Sequence, residues 1–193
     1  MPLRRSNDHV SALPELTDDA LLAASAVGDP AALGALFDRH HEAIYRLISR
    51  LLRTEPAEID DLVQNTFLEA WRSASRFAGR GTVKSFLFGV AANTVRHHLR
   101  DTRRRRHLLD SLPAPAHRAP PDDALSRAQQ LGRLAAALDE LPHDLRTAYV
   151  LCDLEDLSGV EVARMLAVRP GTLWRRLHQA RRMLRAVLSG DPP

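Results

Sequence analysis

Few residues in this chain have the types and spacing that catalysis would need. Four histidines stand in two adjacent pairs, His40-His41 and His97-His98. Adjacent helical residues project about 100° apart, so neither pair makes a one-face chelate. No His-x-x-x-His pair with a nearby acid occurs either, which argues against a helical metalloenzyme. The single cysteine, Cys152, excludes an internal disulfide and a multi-cysteine zinc site. Placed among Tyr149, Val150 and Leu151, it reads as a buried structural thiol. No catalytic residue, metal, cofactor or small-molecule substrate is expected. The chemistry that does stand out belongs to arginine, glutamine and aromatic rings.

Ser158 and Glu161 form an S-x-x-E capping box that opens a short helix with Val162, Ala163 and Leu166 facing inward. A turn follows over 167–171. The next helix carries Leu173, Leu177, Ala180 and Leu184 at spacings of four, three and four. Its other face presents Thr172, Arg175, Arg176, Gln179 and Arg182, with Arg169 just before it. This is a helix-turn-helix pattern, whose second helix can enter the major groove of DNA. Arginine reads guanine and glutamine reads adenine through paired hydrogen bonds, while further arginines hold phosphates.

A second constellation lies upstream, where Phe77, Arg80, Lys84, Phe86, Phe88, Arg96 and Arg100 interleave rings with cations. A basic, glycine-bearing loop beside aromatics suits unpaired DNA, because flat side chains stack on bases while cations track the backbone. Taken singly, Phe86 and Phe88 are better placed in a core.

These residues must be positioned by helices. Apolar residues recur at helical spacing and no segment alternates apolar with polar for long. Thr17 caps a first helix from Asp18 to about Val27, and Gly28-Asp29-Pro30 stops it and starts the next. Leu33, Phe37, Ile44, Leu47, Ile48, Leu51 and Leu52 mark the second helix, to about Arg53. Pro56 opens a third, with Leu62, Val63, Phe67, Ala70, Trp71 and Ala74 on its buried side. Gly79-Arg80-Gly81 interrupts, Thr82 can cap, and a fourth helix carries Phe86, Leu87, Val90, Ala91 and Leu99. The stretch 107–123 holds four of the twelve prolines and reads as a flexible linker. Helical pattern resumes near Ala124, broken at Leu141-Pro142 and at 156–158. The expected fold is therefore all-α. Residues 1–16 form a disordered N-terminus, 17–106 and 124–188 are two small helical domains, and 189–193 are a tail. The second domain contains the helix-turn-helix.

Charge supports two polyanion contacts. The chain's net charge is +3. Residues 72–106 hold ten Arg/Lys and one acid, and 164–185 hold seven arginines and none; the remainder carries 10 basic and 23 acidic residues. Two basic islands on an acidic body fit two separate contacts with nucleic acid better than solvated faces, which would intersperse acids. No apolar run approaches the ~20 residues of a membrane span. Arg4-Arg5 lacks the apolar stretch of an export signal, so the protein is expected to be cytoplasmic.

Three blocks carry a family resemblance: DDLVQNTFLEAW from Asp60 to Trp71, FAGRGTVKSFLFGVAANTVRHHLR from Phe77 to Arg100, and LPHDLRTAYVLCDLEDLSGVEVARMLAVRPGTLWRRLHQAR from Leu141 to Arg181. They resemble, in order, the polymerase-docking, minus-ten-reading and minus-thirty-five-reading segments of bacterial RNA polymerase sigma factors of the extracytoplasmic-function class. The match runs from about Leu21 to Leu188. The resemblance implies that Asp60, Asp61, Gln64 and Asn65 dock on the clamp helices of the polymerase largest subunit, and that the second domain meets the flap. It implies that the loop from Phe77 to Lys84, Arg80 included, holds a flipped base of melted promoter DNA. Asn93, Arg96 and Arg100 would contact the duplex edge upstream. Arg169, Thr172, Arg175, Arg176, Gln179 and Arg182 would contact the minus-thirty-five duplex. An anti-sigma partner is implied as well. The chain departs from the family pattern at Val83, Phe86, Gly89, Ala92, His97, Trp174 and Arg175, which bears on promoter sequence rather than class. The competing reading is a helix-turn-helix regulator that binds duplex DNA without polymerase; it leaves the first domain's loop and polar helix unexplained.

Overall fold

The computed structural model describes residues 15–79, 81–108 and 127–189, with side chains from 106 to 131 and at 189 left aside. The expected N-terminal disorder up to Pro14, all of the expected linker beyond Leu108, Arg80 and the tail beyond Ser189 lie outside the described residues. The described elements are all helical: α1 Asp18–Ala26, α2 Pro30–Leu51, α3 Pro56–Ser73, α4 Val83–Leu108, α5 Arg127–Asp139, α6 His143–Tyr149, α7 Gly159–Met165 and α8 Pro170–Ser189. A 3-10 turn, Ala74–Arg76, follows α3, and a π-helical turn, Val150–Leu154, extends α6. The described residues fall into two compact units, one drawn from Met1–Ile48 with Pro56–Thr94 and the other from Ser49–Glu55 with Val95–Pro193.

In the first unit, local chemistry sets the helix starts. Thr17 Oγ1 accepts from Ala20 N at 3.3 Å, and Asp18 and Asp19 place negative charge in the first turn of α1. Gly28 turns the chain with φ +97, and Asp29 Oδ1 accepts from Ala31 N at 2.9 Å and Ala32 N at 3.3 Å. Thr82 Oγ1 accepts from Ser85 N at 3.1 Å to start α4. Leu21, Leu36, Ile44, Leu47, Phe67, Leu87 and Phe88 are all buried. Burial of this kind stabilises by about 1.5–3 kcal/mol per large side chain.

Trp71 departs from the expected buried stripe of α3. It is 38% exposed, and its indole N–H donates to Ser25 O at 2.9 Å. The 3.6-residue period turns Trp71 about a quarter turn from the Leu62–Phe67–Ala70 line, so its ring lies over α1 with an edge in solvent. Phe86 is half-buried where Phe88 is fully buried.

In the second unit the core is aliphatic: Leu138, Leu141, Leu145, Val150, Leu151, Val162, Leu166, Leu173, Leu177 and Leu184. Cys152 is half-buried rather than enclosed, and burial pushes its thiol up to about 11. That keeps it protonated and unreactive near neutral pH.

Candidate nucleic-acid interface

The helix-turn-helix is built by two caps. Ser158 is extended (φ −63, ψ 141) and its Oγ accepts from Glu161 N at 3.3 Å. The return arm of the capping box is different from the usual one. Glu161 Oε2 meets the Ser158 hydroxyl at 3.5 Å instead of bonding the Ser158 amide. At the other end of α7, Ala167 takes φ +52, Ala167 N donates to Arg164 O at 3.1 Å, and Val168 N donates to Ala163 O at 2.9 Å. This is a Schellman turn with alanine where glycine is usual. It aims the chain at Pro170, which begins α8, so the turn is shorter than the 167–171 expected from the sequence.

On α8, Leu173, Leu177, Ala180 and Leu184 are buried, and Arg175, Gln179 and Arg182 are exposed on the far side. Arg169 is exposed just before the helix, and Thr172 is half-buried. Arg176 is different: its Nη2 donates to Asp144 Oδ2 at 2.5 Å, and its side chain is 26% exposed. Arg181 grips Asp153 through two bonds, Nε to Oδ2 at 2.8 Å and Nη2 to Oδ1 at 2.7 Å. This bidentate pair ties α8 to the π-helical turn. The helix thus has an open cationic and amide face, flanked by arginines already engaged with acids of the same unit.

The loop before α4 is bent by Gly79 at φ +66 and Gly81 at φ +146, conformations that favour glycine. Phe77 tilts against Phe86 with ring centroids 5.3 Å apart, and Lys84 Nζ lies 5.0 Å from the Phe88 ring centroid. Along α4, Asn93, Arg96 and Arg100 stand at i, i+3 and i+7, so they share a stripe. Asn93 and Arg96 are half-buried and Arg100 is exposed. Asn93 Oδ1 and Arg96 Nε are buried and make no hydrogen bond. Gly89 and Ala92 are buried.

On α3, Asp60, Asp61, Gln64 and Asn65 are all exposed. Leu68, 41% exposed, lies on the same stripe at i+7 from Asp61 and i+4 from Gln64. Sequence reading passed over it because a leucine in a helix defaults to the core. Its position between polar residues at i−3 and i+4, Asn65 and Arg72, was the available signal.

His40 Nε2 lies 2.7 Å from Asp18 Oδ2, and the His41 ring stacks on Phe37 with centroids 5.1 Å apart. Among the described residues no three His, Cys, Asp or Glu side chains converge, and no helix is long and apolar enough to cross a membrane.

Comparison with known proteins meets this geometry. Residues 36–105 match the family model for Sigma-70 region 2, and residues 131–184 that for Sigma-70 region 4. The chain is 35% identical over 191 residues to the ECF RNA polymerase sigma factor SigE of Mycolicibacterium smegmatis, covering 95% of this chain and 72% of that protein. It belongs to the ECF sigma factors. The SigM sigma factor of Mycobacterium tuberculosis is 34% identical over 90% of this chain and 86% of its own length. The sigma-E factor of Haemophilus influenzae is 30% identical over 88% of this chain and 94% of its own. The fold is similar to that of CnrH, solved in complex with the cytosolic domain of CnrY (TM-score 0.64, 26% identity, 91% of this chain and 99% of that one). It also resembles RpoE of Bartonella quintana, solved with the anti-sigma factor NepR (TM-score 0.67, 24% identity, 81% and 96%). The chain is an RNA polymerase sigma factor, a DNA-binding initiation factor rather than an enzyme.

Proposed function

We propose that this sigma factor directs core polymerase to promoters by dividing the work between its two basic islands. The second island reads the minus-thirty-five duplex through α8, with Arg175, Gln179 and Arg182 toward base edges and Arg169, Thr172 and Arg176 toward the backbone and groove margin. The first island acts once strands part. Phe77, Arg80 and Lys84 hold a base of the minus-ten element, while Asn93, Arg96 and Arg100 grip the duplex edge upstream. The domains that do this are 17–106 and 124–188, joined by 107–123. The observation that carries the reading is the pairing in one chain of an exposed arginine-glutamine helix face with a glycine-bent loop flanked by rings and cations.

Docking on polymerase falls to the exposed stripe of α3. Asp60, Asp61, Gln64 and Asn65 offer acidic and polar groups to the clamp helices of the largest subunit, and Leu68 adds an apolar centre. A desolvated apolar contact ringed by polar groups is the usual anatomy of a tight interface. The second domain meets the flap. RpoE of Bartonella quintana was solved with an anti-sigma factor, and an anti-sigma partner is part of the proposal for this chain as well.

Replacing Asp61 and Gln64 together with Arg tests the docking face. Both side chains point away from the Leu62–Phe67–Ala70 core, so helicity should be unchanged while co-purification with core polymerase is abolished. Retention of the double variant on polymerase would show that another surface docks.

A further inference from the structure

Trp174 is a side chain of α8 to which the proposed function gives no task. It is 52% exposed, although it is the largest side chain on the helix. Its ring packs closely on α7. A Cβ added to Gly159 would stand 2.7 Å from Trp174 Cζ2 and 2.9 Å from Cη2, so the ring lies directly on the first residue of α7 and would have to shift to admit any larger residue. Gly159 has no positive φ to explain it. The close approach of the ring is its structural reason.

The direction of the ring follows from helix geometry. Leu173, Leu177, Ala180 and Leu184 define the inward line, and Arg175 and Arg182 the outward one. At about 100° per residue, Trp174 stands a quarter turn from both, on the side of α7. In a recognition helix the outward line faces base edges, and the flanks face the sugar–phosphate walls of the groove. The indole Nε1–H makes no hydrogen bond to any described residue, whereas that of Trp71 is taken by Ser25 O at 2.9 Å. On a duplex seated against α8, that flank, with an indole donor that no described residue takes, would face the groove wall.

We propose that Trp174 is a positioning residue for the minus-thirty-five element, its indole N–H donating to one backbone phosphate while Gly159 holds the ring. The inference rests on α8 being the recognition helix. It assigns a role that the neighbouring arginines do not fill. A neutral donor fixes register without releasing counterions, so it adds nothing to the salt dependence of binding. With only two side-chain torsions it loses little freedom on contact.

The test uses holoenzyme assembled from core polymerase and the full chain, on minus-thirty-five duplexes carrying one methylphosphonate at a time. Wild type should lose about tenfold in affinity at one wall phosphate, the scale of a hydrogen bond to a charged group. Trp174→Phe keeps a ring and drops the donor. It should show the same loss on unmodified DNA, no further loss at that phosphate, and an unchanged salt slope and base preference. Gly159→Ala, which retains the tryptophan but displaces it, should reproduce the effect. Circular dichroism and core association equal to wild type would confirm that the variants are folded. Wild-type affinity of Trp174→Phe for unmodified DNA would overturn the proposal. So would losses that multiply at every phosphate, or a loss that follows removal of thymine methyl groups instead. Holoenzyme that binds no minus-thirty-five duplex at all would sink the assignment of α8 itself, a distinguishable result.

Discussion

Arg176 and Gln179 look equivalent in sequence, both lying on the polar face of one helix, yet the structure separates them. Gln179 is exposed, while Arg176 is bonded to Asp144 and only 26% exposed. The bond from Nη2 to Asp144 occupies one edge of the Arg176 guanidinium and tethers it to its own unit, which leaves it fewer donors and less reach for a base than a free arginine. Gln179→Ala is therefore expected to lose about 1–3 kcal/mol of discrimination at one base pair. Arg176→Ala should lose less discrimination, and should lower stability by no more than about 1 kcal/mol, as partly exposed ion pairs do. Competition binding on single-base promoter variants measures both. A larger specificity loss from Arg176→Ala would mean that Asp144 releases the arginine on DNA. The same contrast marks what sequence reveals. Side chains that act locally were legible: Thr17, Asp29, Thr82 and Ser158 cap where propensity says they should. Trp71 was expected on a buried side and Leu68 was passed over, because large apolar residues default to the core and only the packed neighbours decide otherwise.

The helices themselves follow from periodicity, but their connections hold chemistry that the pattern does not announce. The π-helical turn Val150–Leu154 depends on packing rather than propensity, and it places Asp153 where Arg181 can grip it. Ala167 supplies the left-handed residue of the turn between α7 and α8 at φ +52, a conformation costing a non-glycine residue about 1–2 kcal/mol. Ala167→Gly is expected to relieve that strain, offset in part by greater unfolded-chain entropy. A net gain near 0.5–1 kcal/mol should raise the melting midpoint by a few degrees, as read by thermal circular dichroism. A lowered midpoint would show that the turn is not strained. The loop 79–84 invites a functional test at the same scale. Extracting a base from the stack costs a few kcal/mol, and a pocket offsets that only after strands part. Replacing the loop should leave duplex recruitment nearly normal and reduce permanganate reactivity of melted thymines. A pre-melted bubble template should rescue it. Failure at recruitment with normal opening would reverse the assignment.

Across the whole molecule, a net charge of +3 conceals two basic segments on an acidic remainder, and this arrangement was plain in the sequence. Each basic segment lies, to within a residue, inside one of the two family matches, residues 36–105 and 131–184. On the proposed division of labour, each island alone would offer a modest, salt-sensitive contact with DNA. Two modest contacts become tight only when something fixes their separation, because linked sites gain from each other only if both can engage at once. In this account core polymerase is what fixes it. The most direct measurement is promoter binding by the purified chain at physiological salt, with and without core polymerase, followed by footprinting of both elements. The free chain should bind weakly with little sequence preference, and core should confer nanomolar binding with protection at minus thirty-five and minus ten. Nanomolar, sequence-specific binding by the free chain, unchanged by core, would contradict the account.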